Sequence, residues 1–182
     1  MSFIFLDRDG VINRFPGKGV YVTRLSNFVF LPGSKKAIQL LADAGHTLAV
    51  ISNQGCVSRG TLTREGLKTI TARMLAGIKK SGGKLRGVYY CMHQASDKCG
   101  CKKPKLGLIK KAVKRRPGAL INSIFIGDSR EDMQAAKKAG CLSILVLSGR
   151  SKKKDIADFE FKPDEVKKNL LEAARWILKR RS

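Results

Sequence analysis

Asp7 and Asp9 stand two residues apart where the apolar run Phe3-Ile4-Phe5-Leu6 ends, and Gly10 follows directly. Taken alone, the segment is also an ordinary strand-to-turn junction. Open α/β sheets place their ligands at the carboxyl ends of buried parallel strands, so the pair is a candidate active-site floor. Asp128 and Asp132 follow a second such run, Ser123-Ile124-Phe125-Ile126-Gly127. There the competing structural role is a capping box, with Asp128 as the cap and Glu131 reaching back. Several carboxylates gathered at one sheet edge repel one another unless a hard cation such as Mg²⁺ lies between them.

Two further stretches supply what a phosphate ester would need. Ser52 and Asn53 end the run Thr47-Leu48-Ala49-Val50-Ile51. A hydroxyl followed by free backbone N–H groups can hold a phosphoryl oxygen, although a strand-end serine is also a common turn residue. Cys91, His93, Cys99 and Cys101 then fall within eleven residues. Three thiolates and one imidazole complete a tetrahedral set with no open position, which is the ligand set of a structural Zn²⁺. That loop places Lys102-Lys103-Pro104-Lys105 beside the carboxylates, where one lysine can meet an incoming phosphate; a solvated basic run is the default for such a segment. Cys56 and Cys141 lie outside the set and read as plain small residues. Acids, a hydroxyl and a lysine converging on one edge suit phosphate-ester hydrolysis.

The elements that must position these groups alternate between strand and helix. Residues 14–32 read as a loop long enough to be an active-site flap. A helix opens at Pro32-Gly33-Ser34, buries Ala37, Ile38, Leu40, Leu41 and Ala44, and stops at Gly45. Thr63 caps a second helix through about residue 80, and Val88-Tyr89-Tyr90 is a strand. A basic helix at about 106–115 is terminated by Arg116-Pro117-Gly118, and another spans 130–139 up to Gly140. Ser143-Ile144-Leu145-Val146-Leu147 is a strand, residues 148–162 a solvated connection, and a last helix starts near Pro163 with Val166 and Leu170 on its inner face. This order predicts an α/β, Rossmann-like parallel sheet of about five strands with helices on both faces.

Composition bounds the rest. At 182 residues the chain is expected to form a single domain, 1–182, without a large cap. No signal segment or bilayer-spanning run is evident, so a cytoplasmic location and no membrane partner are expected. The 37 Lys+Arg against 14 Asp+Glu give +23. That excess is spread through the chain, with 15 basic and 5 acidic residues in 1–100 and 22 and 9 in 101–182. Anionic partners are favoured, but no nucleic-acid-binding signature is present, so a nucleic-acid partner is the secondary reading.

The segments Leu6-Asp7-Arg8-Asp9-Gly10-Val11-Ile12-Asn13, Ser52-Asn53-Gln54, Cys91-x-His93 with Cys99-x-Cys101-Lys102-Lys103-Pro104, and Gly127-Asp128-Ser129-Arg130-Glu131-Asp132 resemble, in order and spacing, the haloacid-dehalogenase (HAD) superfamily of phosphatases. Within it they are similar to the histidinol-phosphatase and D-glycero-D-manno-heptose 1,7-bisphosphate phosphatase group. The resemblance implies a monomeric Mg²⁺-dependent phosphatase acting on a small phosphorylated metabolite. In it Asp7 would be the nucleophile and Asp9 the acid and base. Asp7, Asp9 and Asp128 would hold Mg²⁺, with Asp132 in support. Ser52 and Lys103 would grip the phosphoryl group, while Asn53, Arg59 and Lys102 reach the remainder of the substrate. Asn53-Gln54, Ser58-Arg59-Gly60 and Thr63 resemble the heptose-bisphosphate branch, implying release of the 7-phosphate. Histidinol phosphate and a polynucleotide 3′-phosphate are the alternative substrates, and an inactive basic nucleic-acid-binding domain the alternative of another class. Ser52, Lys102 and Ser129 depart from the group, which more often has Thr, Arg and a basic residue there. Loss of the planar guanidinium at Lys102 bears on the substrate more than on the reaction.

Overall fold

Strand β1 (Phe3–Leu6) is buried on both faces, and the alternation of its side chains sorts the molecule into layers. Ile4 and Leu6 point to one layer, with Ile38, Leu41, Met74 and Ile177. Phe3 and Phe5 point to the other, with Leu108, Ile109, Ala135 and Ala136. Complete burial of each large apolar side chain contributes roughly 1.5–3 kcal/mol, so the central strand anchors both layers. The computed structural model describes residues 1–114 and 118–180.

The remaining elements follow in βα order. They are α1 (Ser34–Asp43), β2 (Thr47–Asn53), α2 (Arg64–Lys80), β3 (Gly87–Cys91) and α3 (Gly107–Val113). Then come β4 (Ile124–Gly127), α4 (Arg130–Ala139), β5 (Leu142–Val146), β6 (Glu165–Lys167) and α5 (Leu170–Lys179). All pairings are parallel and the strand order is β3-β2-β1-β4-β5-β6. β1 and β4 are therefore central neighbours, and Asp7 donates its backbone N–H to the Ile126 carbonyl at 3.0 Å. Helices α1, α2 and α5 cover one face, and α3 and α4 the other.

Several expectations need correction. The sheet has six strands rather than about five. The sixth, Glu165–Lys167, is three residues long and half-buried, so it carries no apolar run to announce it. The last helix consequently begins after Asn169, whose side chain accepts the Glu172 N–H at 3.0 Å, and Val166 lies on the strand. At α4 the cap is Ser129 with Asp132 at N3, one residue beyond the expected Asp128 and Glu131. The stop expected at Arg116-Pro117 lies outside the described residues. Thr63 does cap α2, accepting the Gly66 N–H at 3.0 Å.

The 14–32 loop is pinned at its base. Arg14 N–H donates to Val29 O at 2.8 Å and Leu31 N–H to Ile12 O at 3.0 Å, while Asn13 and Phe30 form an antiparallel bridge. Its tip, residues 15–21, is thereby held over the carboxyl ends of the strands.

Candidate active site

A cavity of about 410 Å³ opens at the carboxyl edge of the sheet. Its floor carries Asp7, Asp9 and Asp128, its side Ser52, Asn53, Lys102 and Lys103, and its roof the flap tip. The expected convergence of strand ends is thus realised in space.

Lys103 sits at the centre of the charge arrangement. Its Nζ lies 3.0 Å from Asp7 Oδ1 and 2.6 Å from Asp132 Oδ1, and donates to Ile51 O at 2.9 Å. Burial opposes the ammonium charge, but Asp132 and Asp7 outweigh it and hold the pKa above the ordinary lysine value. Asp7 Oδ1 also accepts the Arg8 N–H at 2.7 Å. Burial pushes Asp7 up to about 6 despite Lys103, with Asp132 and Asp9 adding to the rise. Asp128 is raised well above the carboxylate range by burial, then by Asp7 and Asp132.

Asp7, Asp128 and Asp132 form one buried cluster with oxygen atoms within 4.8 Å of one another. One ammonium balances one of three carboxylates, and the raised pKa values of Asp7 and Asp128 register the surplus. Hard oxygen donors with uncompensated negative charge fit a divalent cation such as Mg²⁺. Asp132 is the least free of the three. Its Oδ2 accepts the N–H groups of Asp128 and Ser129 at 3.1 Å each and the Ser129 hydroxyl at 2.6 Å. Asp132 thus contacts Lys103 through Oδ1 and ties down the turn that carries Asp128 through Oδ2.

Asp9 is clamped rather than free. It accepts Asn13 Nδ2 and Gln54 Nε2 at 2.8 Å each, and pairs with Arg8 Nη2 at 3.0 Å. Arg8 is fully buried, with its guanidinium over Tyr90 and bonded to Gln54 Oε1 at 3.0 Å. Ser52 Oγ accepts Gln54 Nε2 at 3.2 Å, which leaves its hydroxyl hydrogen to be donated into the cavity.

Asn53 lines the cavity, but its amide is engaged with the Lys103 backbone: Oδ1 accepts the N–H at 3.0 Å and Nδ2 donates to the carbonyl at 3.2 Å. The geometry makes it a latch for the lysine. Arg59 is exposed and does not line the cavity itself; its guanidinium lies 5.5 Å over the ring of Tyr21, which does. Lys102 is half-buried on the wall.

The cysteine loop closes on itself at the end of β3. Cys91 Sγ lies 3.7 Å from both His93 Nδ1 and Cys99 Sγ and 3.3 Å from Cys101 Sγ. Cys101 Sγ is also 3.2 Å from His93 Nδ1 and 3.5 Å from Cys99 Sγ. Four soft donors at such separations are close to the edges of a tetrahedron around Zn²⁺, whose bonds to sulfur are ~2.3 Å. Burial raises Cys91 to about 12. At Cys99 burial is overcome by the N–H groups of Cys101 and Lys102 and by the neighbouring thiols, bringing it down to about 6.

Sequence reading missed the segment after β5, taken as solvated connection. Arg150 N–H donates to Asp128 Oδ2 at 2.7 Å, Ser151 N–H to Asp128 O at 3.0 Å, and Ser148 Oγ to Gly10 O at 2.7 Å. Gly10 and Gly149 face the Asp128 carboxylate so closely that a Cβ at either would occupy its place, and Gly10 also has φ +82°. The available signal was topological: a parallel sheet delivers the end of its fifth strand to the same edge as the others. Gln54 and Arg8 belong to the sequence motifs, and the structure shows that both bond to the Asp9 carboxylate.

Residues 100–173 match the family model described as HAD-hydrolase-like. A D-glycero-β-D-manno-heptose-1,7-bisphosphate 7-phosphatase of Neisseria meningitidis is 35% identical over 153 residues, covering 84% of this chain and 81% of that one. The chain belongs to this HAD phosphatase family. A member from Haemophilus ducreyi is 32% identical over 182 residues, covering 96% and 97% of the two chains. Among solved structures, the family member of B. bronchiseptica, complexed with magnesium and phosphate, has a TM-score of 0.91 at 32% identity over 99% of both chains. That of Burkholderia thailandensis has a TM-score of 0.72 at 27% identity, covering 98% of this chain and 99% of the other.

Proposed function

We propose that residues 1–182 act as a single-domain, monomeric Mg²⁺-dependent phosphatase that removes the 7-phosphate of D-glycero-β-D-manno-heptose 1,7-bisphosphate. The observation that carries the chemistry is the buried cluster in which Asp7 faces Lys103 at 3.0 Å beside Asp128. The substrate follows from the names of the relatives and suits a cavity of about 410 Å³, within the size range of small-molecule sites.

In this reading Asp7, Asp128 and the Asp9 backbone carbonyl hold Mg²⁺, which when bound draws charge from the phosphoryl oxygens. Asp7 attacks phosphorus, and its carboxylate takes the phosphoryl group as an aspartyl-phosphate while the sugar oxygen leaves. Lys103 Nζ and the Ser52 hydroxyl face the developing charge on the phosphoryl oxygens. Asp9 gives a proton to the leaving oxygen and then takes one from the water that cleaves the aspartyl-phosphate, returning Asp7. Arg8, Asn13 and Gln54 hold its carboxyl group in one orientation at the cavity floor. Zn²⁺ in the cysteine loop braces the chain immediately before Lys103 and performs no chemistry on the substrate.

Asp7→Asn keeps the volume and removes the nucleophile. Release of inorganic phosphate from the heptose bisphosphate should fall at least 10³-fold with an unchanged circular dichroism spectrum. Retention of most of the activity would end the assignment of Asp7.

A further inference from the structure

The net charge of +23 exceeds what attraction of a small sugar phosphate requires, and the fold concentrates part of it far from the active site. In a parallel βαβ fold every helix runs back to the edge where the strands begin. The last turns of α2 and α4 carry Lys79, Lys80, Lys137 and Lys138, and that of α5 carries Lys179. All five are exposed, and none is within ion-pair distance of a carboxylate among the described residues. Lys84 and Arg86, exposed in the turn into β3, add to the same pole without belonging to a helix. Complementing a helix dipole accounts for one cation per helix end, but not for the paired lysines or the turn residues. The acids at this pole are few. Asp164 is bonded to Ser143 N–H at 2.7 Å and Oγ at 2.6 Å, Glu165 pairs with Lys167 at 2.7 Å, and Asp43 ends α1.

A second cavity, of about 380 Å³, opens within this basic pole. It is lined by Ser2, Asn122, Ser123, Leu142, Trp176 and Arg180. Trp176 is the single tryptophan of the chain, and the Arg180 guanidinium lies over its ring at 4.7 Å. An aromatic wall, amide and hydroxyl groups at its edge, and exposed lysines at the same pole are the parts with which proteins hold unpaired bases and their phosphates.

We propose that this pole binds single-stranded nucleic acid, one base entering the cavity against Trp176 while the helix-end lysines track the backbone. Arg180 and Lys167 lie over the indole at 4.7 and 5.0 Å, so a base stacking there takes the place of one of these cations, whose charge then becomes available to a phosphate. An anionic bilayer would meet the same lysines but leave the cavity unused, and no helix among the described residues is long and apolar enough to cross one.

The single tryptophan makes the site directly observable. Titration of the zinc-loaded protein with a single-stranded oligonucleotide of about 15 nucleotides should quench its fluorescence. The affinity should fall linearly in log salt, with a slope of about −0.7 per phosphate neutralised. Lys79→Glu with Lys80→Glu, or Lys137→Glu with Lys138→Glu, should weaken binding of a labelled oligonucleotide at least tenfold and lower that slope by about 1.4. Trp176→Phe, which retains an apolar ring, should weaken it at least threefold while the lysine-dependent slope persists. Absence of quenching and of any anisotropy change at low salt would overturn the proposal. So would binding that neither lysine pair affects, or quenching by phosphatidylglycerol vesicles but not by the oligonucleotide, which would mark a membrane surface instead.

Discussion

Replacing Lys103 by Met removes the one cation from a buried cluster of three carboxylates while nearly conserving volume. At an effective dielectric of about 20, its contacts at 2.6 Å with Asp132 and 3.0 Å with Asp7 correspond to roughly 6 and 5–6 kcal/mol of gross attraction. Much of that offsets the desolvation of the three groups, since the side chains of Lys103 and Asp132 are 3% and 0% exposed. Removing one partner of such a pair leaves an uncompensated buried charge and costs about 3–5 kcal/mol net. For a chain of this length each kcal/mol lowers Tm by roughly 2–4 °C, so the variant should melt about 6–20 °C below the parent at pH 7.5 without Mg²⁺. Asp132→Asn in the Lys103→Met background should recover part of the loss, because Asn keeps an acceptor for Ser129 while removing an unpaired charge. Thermal and urea unfolding of the four proteins close the double-mutant cycle. A loss below about 1 kcal/mol for Lys103→Met, or strict additivity in the cycle, would refute Lys103 as the charge balance of the site.

Three further outcomes follow from the same geometry. Gly149→Ala puts a Cβ onto the Asp128 carboxylate and should lower kcat at least 100-fold while overpacking costs only about 1–3 kcal/mol of stability; normal turnover would mean the 148–151 segment does not shape the site. Metal analysis of protein purified under reducing conditions should find a zinc-to-protein ratio near one, lost in Cys101→Ala together with protection of the Lys102-Lys103 backbone from hydrogen exchange; zinc-free protein with an ordered loop would dismiss the metal. Burial opposes the ionised form of Asp164, but the two Ser143 donors prevail and lower its pKa, so its contribution is present above the ordinary Asp pKa of ~3.9 and lost as pH falls through the depressed value. Asp164→Asn should therefore lower stability at neutral pH and flatten the acid limb of the urea-midpoint profile, and an unchanged acid limb would contradict that pairing.

The candidate groups are legible in the sequence because each sits in a short segment with its own chemical sense. Asp7 and Asp9 follow an apolar run, the Cys₃His set lies within one loop, and strict alternation of strand and helix implies a parallel sheet whose strand ends share an edge. What those groups do to one another was not legible. Asn53 reads as a substrate contact and does line the cavity, but only the structure shows its amide bonded on both sides to the backbone of Lys103, fifty positions away. Asp132 reads as a supporting acid of the metal site, and only the structure shows that it also contacts Lys103 Nζ at 2.6 Å. Glu165–Lys167 has a strand's place only because β5 offers a free edge, a property of the sheet and not of three residues.

Charge shows the division most clearly. By itself the sequence determined a large basic excess, spread through both halves of the chain, and a set of acids able to hold a cation. Only the tertiary structure decided that Arg150 and Gly149 close around Asp128, and that the helix ends carrying lysines on α2 and α4 lie at the same end of the sheet. The physical reason is common to both. Backbone hydrogen bonding and hydrophobic period are local and leave a signature in neighbouring residues, whereas electrostatic and steric contacts depend on which chain ends the sheet topology brings together.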